Sequence, residues 1–315
     1  MHYEAPAWLK GAHAQTIWPL AIKGFGPKMS RKRWATPDGD FIELDFLPLQ
    51  EKQPLVILFH GLEGSSRSHY ARSLMRAARD RGWNGVVVHF RGCSGVPNDQ
   101  PRAYHSGDVD ELDWVLRKLA RRHPGVPRYA AGVSLGGNAL LCWLGAQGVA
   151  AHKVIHKAAA ISAPVDLTVS GHALEHGFNQ VYTRYFLSTL RKTAAYKVKK
   201  FPGMMDISGA VTARNLHEFD DAYTAPVHGF RDAADYWQRA SAKPWLSQIE
   251  LPTLMLNARN DPFLPATALP ARRDVSPTVL LEQPDEGGHV GFVTGPFPGR
   301  LDWLPQRILS FFDEA

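Results

Sequence analysis

The chain has 315 residues, room for one large domain or two ordinary ones and for a core that needs no covalent staples. Hydrophobic residues make up 44% and charged residues 21%, with a net charge of +6, a balance that excludes a disordered chain and a strongly polybasic one. The two cysteines, Cys93 and Cys142, are too few for a disulfide framework and suit a reducing compartment.

The opening stretch, MHYEAPAWLKGAHAQ, lacks the basic start and apolar run of a secretion signal. The longest apolar stretch, ALLCWLGAQGVAA, is too short and too interrupted to span a bilayer. The expectation is a cytoplasmic protein with no integral membrane segment, open to transient contact with a membrane or lipid. The basic runs SRKRW and RKTAAYKVKK read as solvated faces and lack the interleaved aromatics of a nucleic-acid surface, so no nucleic-acid partner is expected.

In chain order, KRWATPDGDFIELDFLPL reads as two strands around a PDGD turn, with Ile42, Leu44 and Phe46 alternating against polar neighbours. PLVILFH is a short unbroken apolar run, the pattern of a strand buried on both faces. SHYARSLMRAARDRG places Tyr70, Leu74, Met75 and Ala78 at helical spacing and stops at Gly82. GVVVHF is a second buried strand. In GDVDELDWVLRKLARR, Asp108 is placed to cap a helix, with Glu111 reaching back to it, and Leu112, Val115, Leu116 and Leu119 form its apolar stripe. RYAAGVS is a third strand, GGNALLCWLGAQG a helix and KAAAIS a fourth strand.

Strand and helix alternate from Pro54 to Ser162, which predicts a mostly parallel sheet covered on both faces. From Pro164 to about Pro244 the chain turns helical and aromatic. It then resumes with LPTLMLNA and TVLLEQ as strands and WLPQRILSFFDE as an amphipathic helix. The economical reading is one α/β domain over residues 1–315, with a helical cap at 164–244 inserted between the strand ending near Ser162 and the strand starting near Leu251.

Gly132-Val133-Ser134-Leu135-Gly136 fits Gly-x-Ser-x-Gly, set between a buried strand and a helix. Such a turn is tight enough to demand glycine two residues either side of the serine, and it lifts the hydroxyl above the strand ends, facing a helix N-terminus. A serine needs a base, and the base needs an orienting acid. Asp261 follows the strand LPTLMLNA, and His289 follows TVLLEQ on a glycine-lightened loop, in the order Ser, Asp, His. Asp166, also after a strand, is the rival acid, while Asp285 and Glu286 lie too near His289 to orient it. For an oxyanion the candidate donors are the backbone N–H groups of Leu135 and of Leu62, in the His60-Gly61-Leu62-Glu63-Gly64 loop.

With WLKGAHAQTI, LFHGLEGSS, VVHFRGCSG, AYHSGDVDELDW, GVSLGGNALL, ISAPVDL, NLHEFDDAYTAPVHGF, ARNDPF and GGHVGF, the chain resembles the α/β-hydrolases over nearly its whole length. Within them it resembles the YheT-like branch, related to the eukaryotic abhydrolase-domain lipases and esterases. The resemblance implies a triad of Ser134, Asp261 and His289, a small-molecule ester substrate, and no metal or organic cofactor. One departure is Asn260, where relatives often carry an acid.

These readings converge on a serine esterase working through an acyl-enzyme on short- to medium-chain or lipid-like esters. Acyl transfer to an alcohol by the same triad and a non-catalytic binding protein on the same fold are the alternatives. Phe178, Tyr182, Tyr185, Phe186, Leu187 and Leu190 of the insertion are expected to shape an apolar acyl pocket. Cys93 reads as structural, Tyr104–Gly107 as fixing the approach to the capped helix, and His13, Trp8 and Trp18 as packing residues near a pocket rim. Oligomeric state has no signature in the sequence.

Overall fold

The short apolar runs form the middle of one eight-stranded sheet. In the computed structural model, which describes residues 2–203 and 206–314, the strands are β1 (Ser30–Ala35), β2 (Phe41–Phe46), β3 (Leu55–Phe59), β4 (Asn84–His89), β5 (Arg128–Val133), β6 (Lys157–Ile161), β7 (Thr253–Leu256) and β8 (Val279–Glu282). Their order is β1-β2-β4-β3-β5-β6-β7-β8. β2 pairs antiparallel with both β1 and β4, and every later pairing is parallel. A parallel sheet needs both faces covered, and the strands serve two cores by simple alternation. Ile57 and Phe59 pack with Val86, Val88, Leu112 and Leu116 on one side. Val56 and Leu58 pack with Val87, Leu74, Ile308 and Phe312 on the other.

The helices that cover these faces are α2 (His69–Asp80), α3 (Val109–Arg122), α4 (Leu135–Gln147) and, after the insertion, α11 (Trp303–Asp313), while α1 (Ala12–Ile22) lies against the loop at residues 287–289. Between β6 and β7 come α5 (Leu167–Leu174), α6 (Gln180–Lys200), α7 (Ser208–Thr212), α8 (Leu216–Phe219), α9 (Ala225–His228) and α10 (Ala233–Ala240). This is the segment expected at 164–244, of which residues 204 and 205 lie outside the described ones. It carries its own apolar cluster, in which Leu187, Leu190, Ala194, Phe219 and Tyr223 are joined by Phe263 of the body.

Four local expectations are corrected. β2 does not alternate between buried and exposed, since all six of its residues are buried. Glu43 and Asp45 tolerate this because Arg33 and Arg31 stand directly opposite them on β1. Arg33 donates to Glu43 at 2.8 Å and Arg31 to Asp45 at 2.7 Å. His89 on β4 lies 2.9 Å from the other Asp45 oxygen, to which the Ser66 hydroxyl donates at 2.6 Å. SRKRW is therefore strand whose arginines are committed to ion pairs, not a free solvated face.

At α3, Asp108 accepts from the Glu111 N–H, but Glu111 does not reach back. Its carboxylate takes the Arg91 guanidinium instead, at 2.5 Å. In the second basic run, Lys197 is buried rather than solvated, and its ammonium donates to the Asn98 carbonyl and side-chain oxygen, at 3.0 and 2.8 Å, and to the Gln100 carbonyl. α6 is thus fastened to the loop after β4.

Candidate active site

Ser134 sits between β5 and α4 with φ 53° and ψ −122°, a conformation that a non-glycine residue adopts only when its surroundings enforce it. The glycines show what enforces it. A Cβ on Gly132 would lie 2.4 Å from the Gly136 carbonyl oxygen, and one on Gly136 would lie 2.4 Å from that of His60. Gly61 belongs to the same constraint, since its Cβ would stand 3.0 Å from the Ser134 Cβ. The turn closes only without side chains at these positions, and closing it presses the serine against the loop after β3.

The structure brings Ser134, His289 and Asp261 together. His289 Nε2 is 2.9 Å from Ser134 Oγ, and His289 Nδ1 is 2.9 Å from Asp261 Oδ2. The other Asp261 oxygen accepts the Phe263 N–H at 2.8 Å, and the Phe263 ring stacks on the imidazole with centroids 4.1 Å apart. Asp261 is 4% exposed, so its charge faces few competing partners. The rival acid is elsewhere: Asp166 accepts from the Val169 N–H at the start of α5 and lies 3.3 Å from the Lys243 ammonium. Asp285 and Glu286 are exposed.

The His289 loop is held by residues that no local pattern in the sequence singled out. Thr16 on α1 accepts the His289 N–H at 2.9 Å, and Gln15 accepts the Gly287 N–H at 2.9 Å. Asn260 accepts the Gly288 N–H and donates to Gln15, both at 2.9 Å. The amide at position 260 therefore has a structural use that a carboxylate, lacking a donor, would not fill. The available signal was the HAQT string within WLKGAHAQTI, which carried family likeness but no periodicity or spacing that assigned it a role.

The loop after β3 is strapped at three points. His60 Nδ1 meets the Gly61 carbonyl at 2.8 Å while its Nε2 faces the Phe90 N–H at 3.1 Å, which assigns the proton to Nδ1. Burial pushes this imidazole down to about 3, so the ring is neutral. The Gly61 N–H donates to the Tyr70 hydroxyl and the Glu63 N–H to the Tyr104 hydroxyl, each at 2.9 Å. The Tyr104 hydroxyl donates in turn to the Glu63 carboxylate at 2.8 Å. Burial raises Glu63 above its ordinary range, against lowering contacts from Thr189 and Tyr104. The Leu62 N–H between these straps, and the Leu135 N–H at the first position of α4, have no hydrogen-bond partner among the described residues.

A cavity of about 1150 Å³, counting the space open to solvent, begins at Ser134, Leu135, His289 and Leu62 and runs beneath the insertion. Of the six insertion residues expected to line it, Phe186 and Leu190 do so. The others are corrected: Leu187 packs in the insertion's own cluster, Tyr182 rests on Phe263, and Phe178 and Tyr185 face outward. Leu174 on α5, Leu216 and Phe219 on α8, and Trp237 on α10 are also in the lining. Tyr104 and His105 also line it. Cys93 packs near Glu63, and burial raises its thiol well above the usual range. His13 lies 3.1 Å from the Tyr182 hydroxyl, and Trp8 and Trp18 pack together on the surface beside Phe297.

The likeness to known proteins extends over most of the chain. The α/β-hydrolase fold family matches residues 54–296. The candidate esterase YheT of Escherichia coli (strain K12) is 41% identical over 304 residues, 94% of this chain and 88% of that protein. Phospholipase ABHD3 of Mus musculus is 29% identical over 324 residues, 99% of this chain and 78% of its own. Among solved structures, the Pyrococcus furiosus esterase Pf2001 superposes with a TM-score of 0.57 over 91% of each chain at 18% identity, a likeness of fold alone.

Proposed function

The chain belongs to the α/β-hydrolase family, in its YheT-like branch, and from that premise we propose that it is a serine esterase acting on carboxylic esters with an apolar acyl chain. Ser134 Oγ attacks the ester carbonyl as His289 Nε2 takes its proton, and Asp261 holds the ring in the tautomer that leaves Nε2 free to accept. The negative charge that develops on the carbonyl oxygen is met by the N–H groups of Leu62 and Leu135, at the positive end of α4. Collapse of the tetrahedral intermediate expels the alcohol with the proton returned by His289. Water, deprotonated by the same imidazole, then releases the acid from Ser134.

The observation that carries this reading is the unbroken run of two 2.9 Å contacts from Ser134 through His289 to Asp261, at the mouth of an apolar cavity. The α5–α10 insertion acts as a cap over the sheet and supplies the acyl-binding wall. The names of the YheT and ABHD3 relatives agree with an ester bond as the target and favour lipid-like esters.

A panel of p-nitrophenyl esters graded by acyl length tests the proposal. The wild type should hydrolyse the panel with a preference set by the cavity, and Ser134→Ala should fall to background on every member. Equal rates for the two proteins would overturn it.

A further inference from the structure

α1 is a surface helix without an ion-forming carboxylate, lysine or arginine. Its sequence, AHAQTIWPLAI, is apolar around most of its circumference, yet its buried residues are Gln15 and Pro19. A helix of that composition belongs in a core or against hydrocarbon. Ile17 and Leu20, one turn apart on its outer side, are 39% and 55% exposed.

Further large apolar side chains are exposed in the segments on either side of the helix. Phe25, in the segment that follows, is 93% exposed, and Phe297 is 70% exposed, resting against Trp8 and Trp18. Toward the insertion, the His13 ring lies 4.5 Å from Phe178, which opens outward with Val181 and Tyr185. Lys10 and Lys23 flank the ends of α1, with Lys28 and Arg184 farther out, all exposed. Among the described residues none of these four is in an ion pair. The acidic side chains of the adjoining segments are Glu4, Glu175, Asp285, Glu286 and Asp302. Of these, Glu175, Asp285 and Asp302 face His172, Arg259 and Arg300.

We propose that this face docks on an anionic lipid bilayer. Ile17, Leu20, Phe25 and Phe297 enter the boundary between headgroups and acyl chains, Trp8 and Trp18 sit at the headgroup level, and the lysines meet the lipid phosphates. Charge selects a bilayer over a second copy of the chain. A two-fold contact through this patch would set one lysine rim against the other.

The patch also adjoins the site. His13 reaches Tyr182, Tyr182 packs on Phe263, and Phe263 stacks on His289, while Thr16 of the same helix holds the His289 N–H. A chain seated on a bilayer through α1 would therefore hold its cavity close to the lipid. The inference goes beyond the esterase reading and does not depend on it.

Flotation of the full chain with vesicles tests the docking, using phosphatidylcholine alone and phosphatidylcholine with one third phosphatidylglycerol. The chain should float with the anionic vesicles and lose binding as salt rises. The double variant Ile17→Glu, Leu20→Glu should bind about tenfold more weakly or worse, with hydrolysis of a soluble short-chain ester unchanged. Phe25→Ser, outside any helix, supplies a second variant should the first fail to fold. Ser134→Ala should float like the wild type, so a failure of the esterase reading and a failure of this one are separable. No binding to anionic vesicles, equal binding by wild type and both surface variants, or solution self-association abolished by the same substitutions would overturn the proposal.

Discussion

Both carboxylate oxygens of Asp261 are committed, one to the Phe263 N–H and the other to His289 Nδ1. Asp261→Asn keeps the size but offers an amide to a ring nitrogen that needs an acceptor, which favours the wrong imidazole tautomer. The expected result is a fall in kcat of roughly 10³–10⁴-fold with KM little changed, read from steady-state ester hydrolysis. A loss confined to KM would contradict the orienting role. At this scale the sequence was most informative where sterics leave one solution. Gly132 and Gly136 are glycine because a Cβ at either would collide with backbone, and that requirement is local enough to read from five residues. Gln15, Thr16 and Asn260 escaped because their use arises only when α1 meets a loop more than 270 residues downstream.

Within single elements, two buried charges carry measurable weight. Burial alone would raise the Asp45 carboxyl, but hydrogen bonds from Arg31, His89 and Ser66 overcome it and hold the group well below the ordinary carboxylate range. A depressed folded pKa stabilises at pH values above the unfolded pKa, near 4, and the benefit fades as pH falls toward the folded value. Asp45→Asn should therefore cost on the order of 3 kcal/mol at neutral pH, with the gap to wild type narrowing below about pH 4. Urea melts across that range check it, and a gap that widens on acidification would contradict it.

Lys197 ties α6 to the Asn98 and Gln100 oxygens, so Lys197→Met should cost roughly 2–3 kcal/mol and speed amide exchange along α6. Unchanged exchange there would show that the tie does not hold the helix. Neither charge was legible from periodicity. A polar residue in an alternating strand reads as outward, and a lysine in a basic run reads as solvated, until the partner across the sheet or in a distant loop is known.

At the scale of the whole molecule, the cavity is a product of assembly. Ser134 comes from the end of β5, His289 from the loop after β8, one wall from α5 and α8, and another from the loop before α3. The strand–helix rhythm and its interruption at the insertion were legible because the burial of β3 to β7 is written in their own apolar residues. The lining was not, since α6 is long and turns some of its aromatics outward, and short α8 contributes Leu216 and Phe219. Leu216→Trp should fill part of the cavity and move the preference on a graded ester panel toward shorter acyl chains. An unaltered profile would place the acyl group elsewhere.

Beneath all of this lies one chemical claim, that the Ser134 hydroxyl is activated by His289. Peptide mass mapping after exposure to a fluorophosphonate tests it most directly. The account predicts one phosphonylated serine, at position 134, with labelling lost in Ser134→Ala and strongly slowed in His289→Ala. A folded wild-type protein that takes up no label, or takes it up equally without the imidazole, would contradict it.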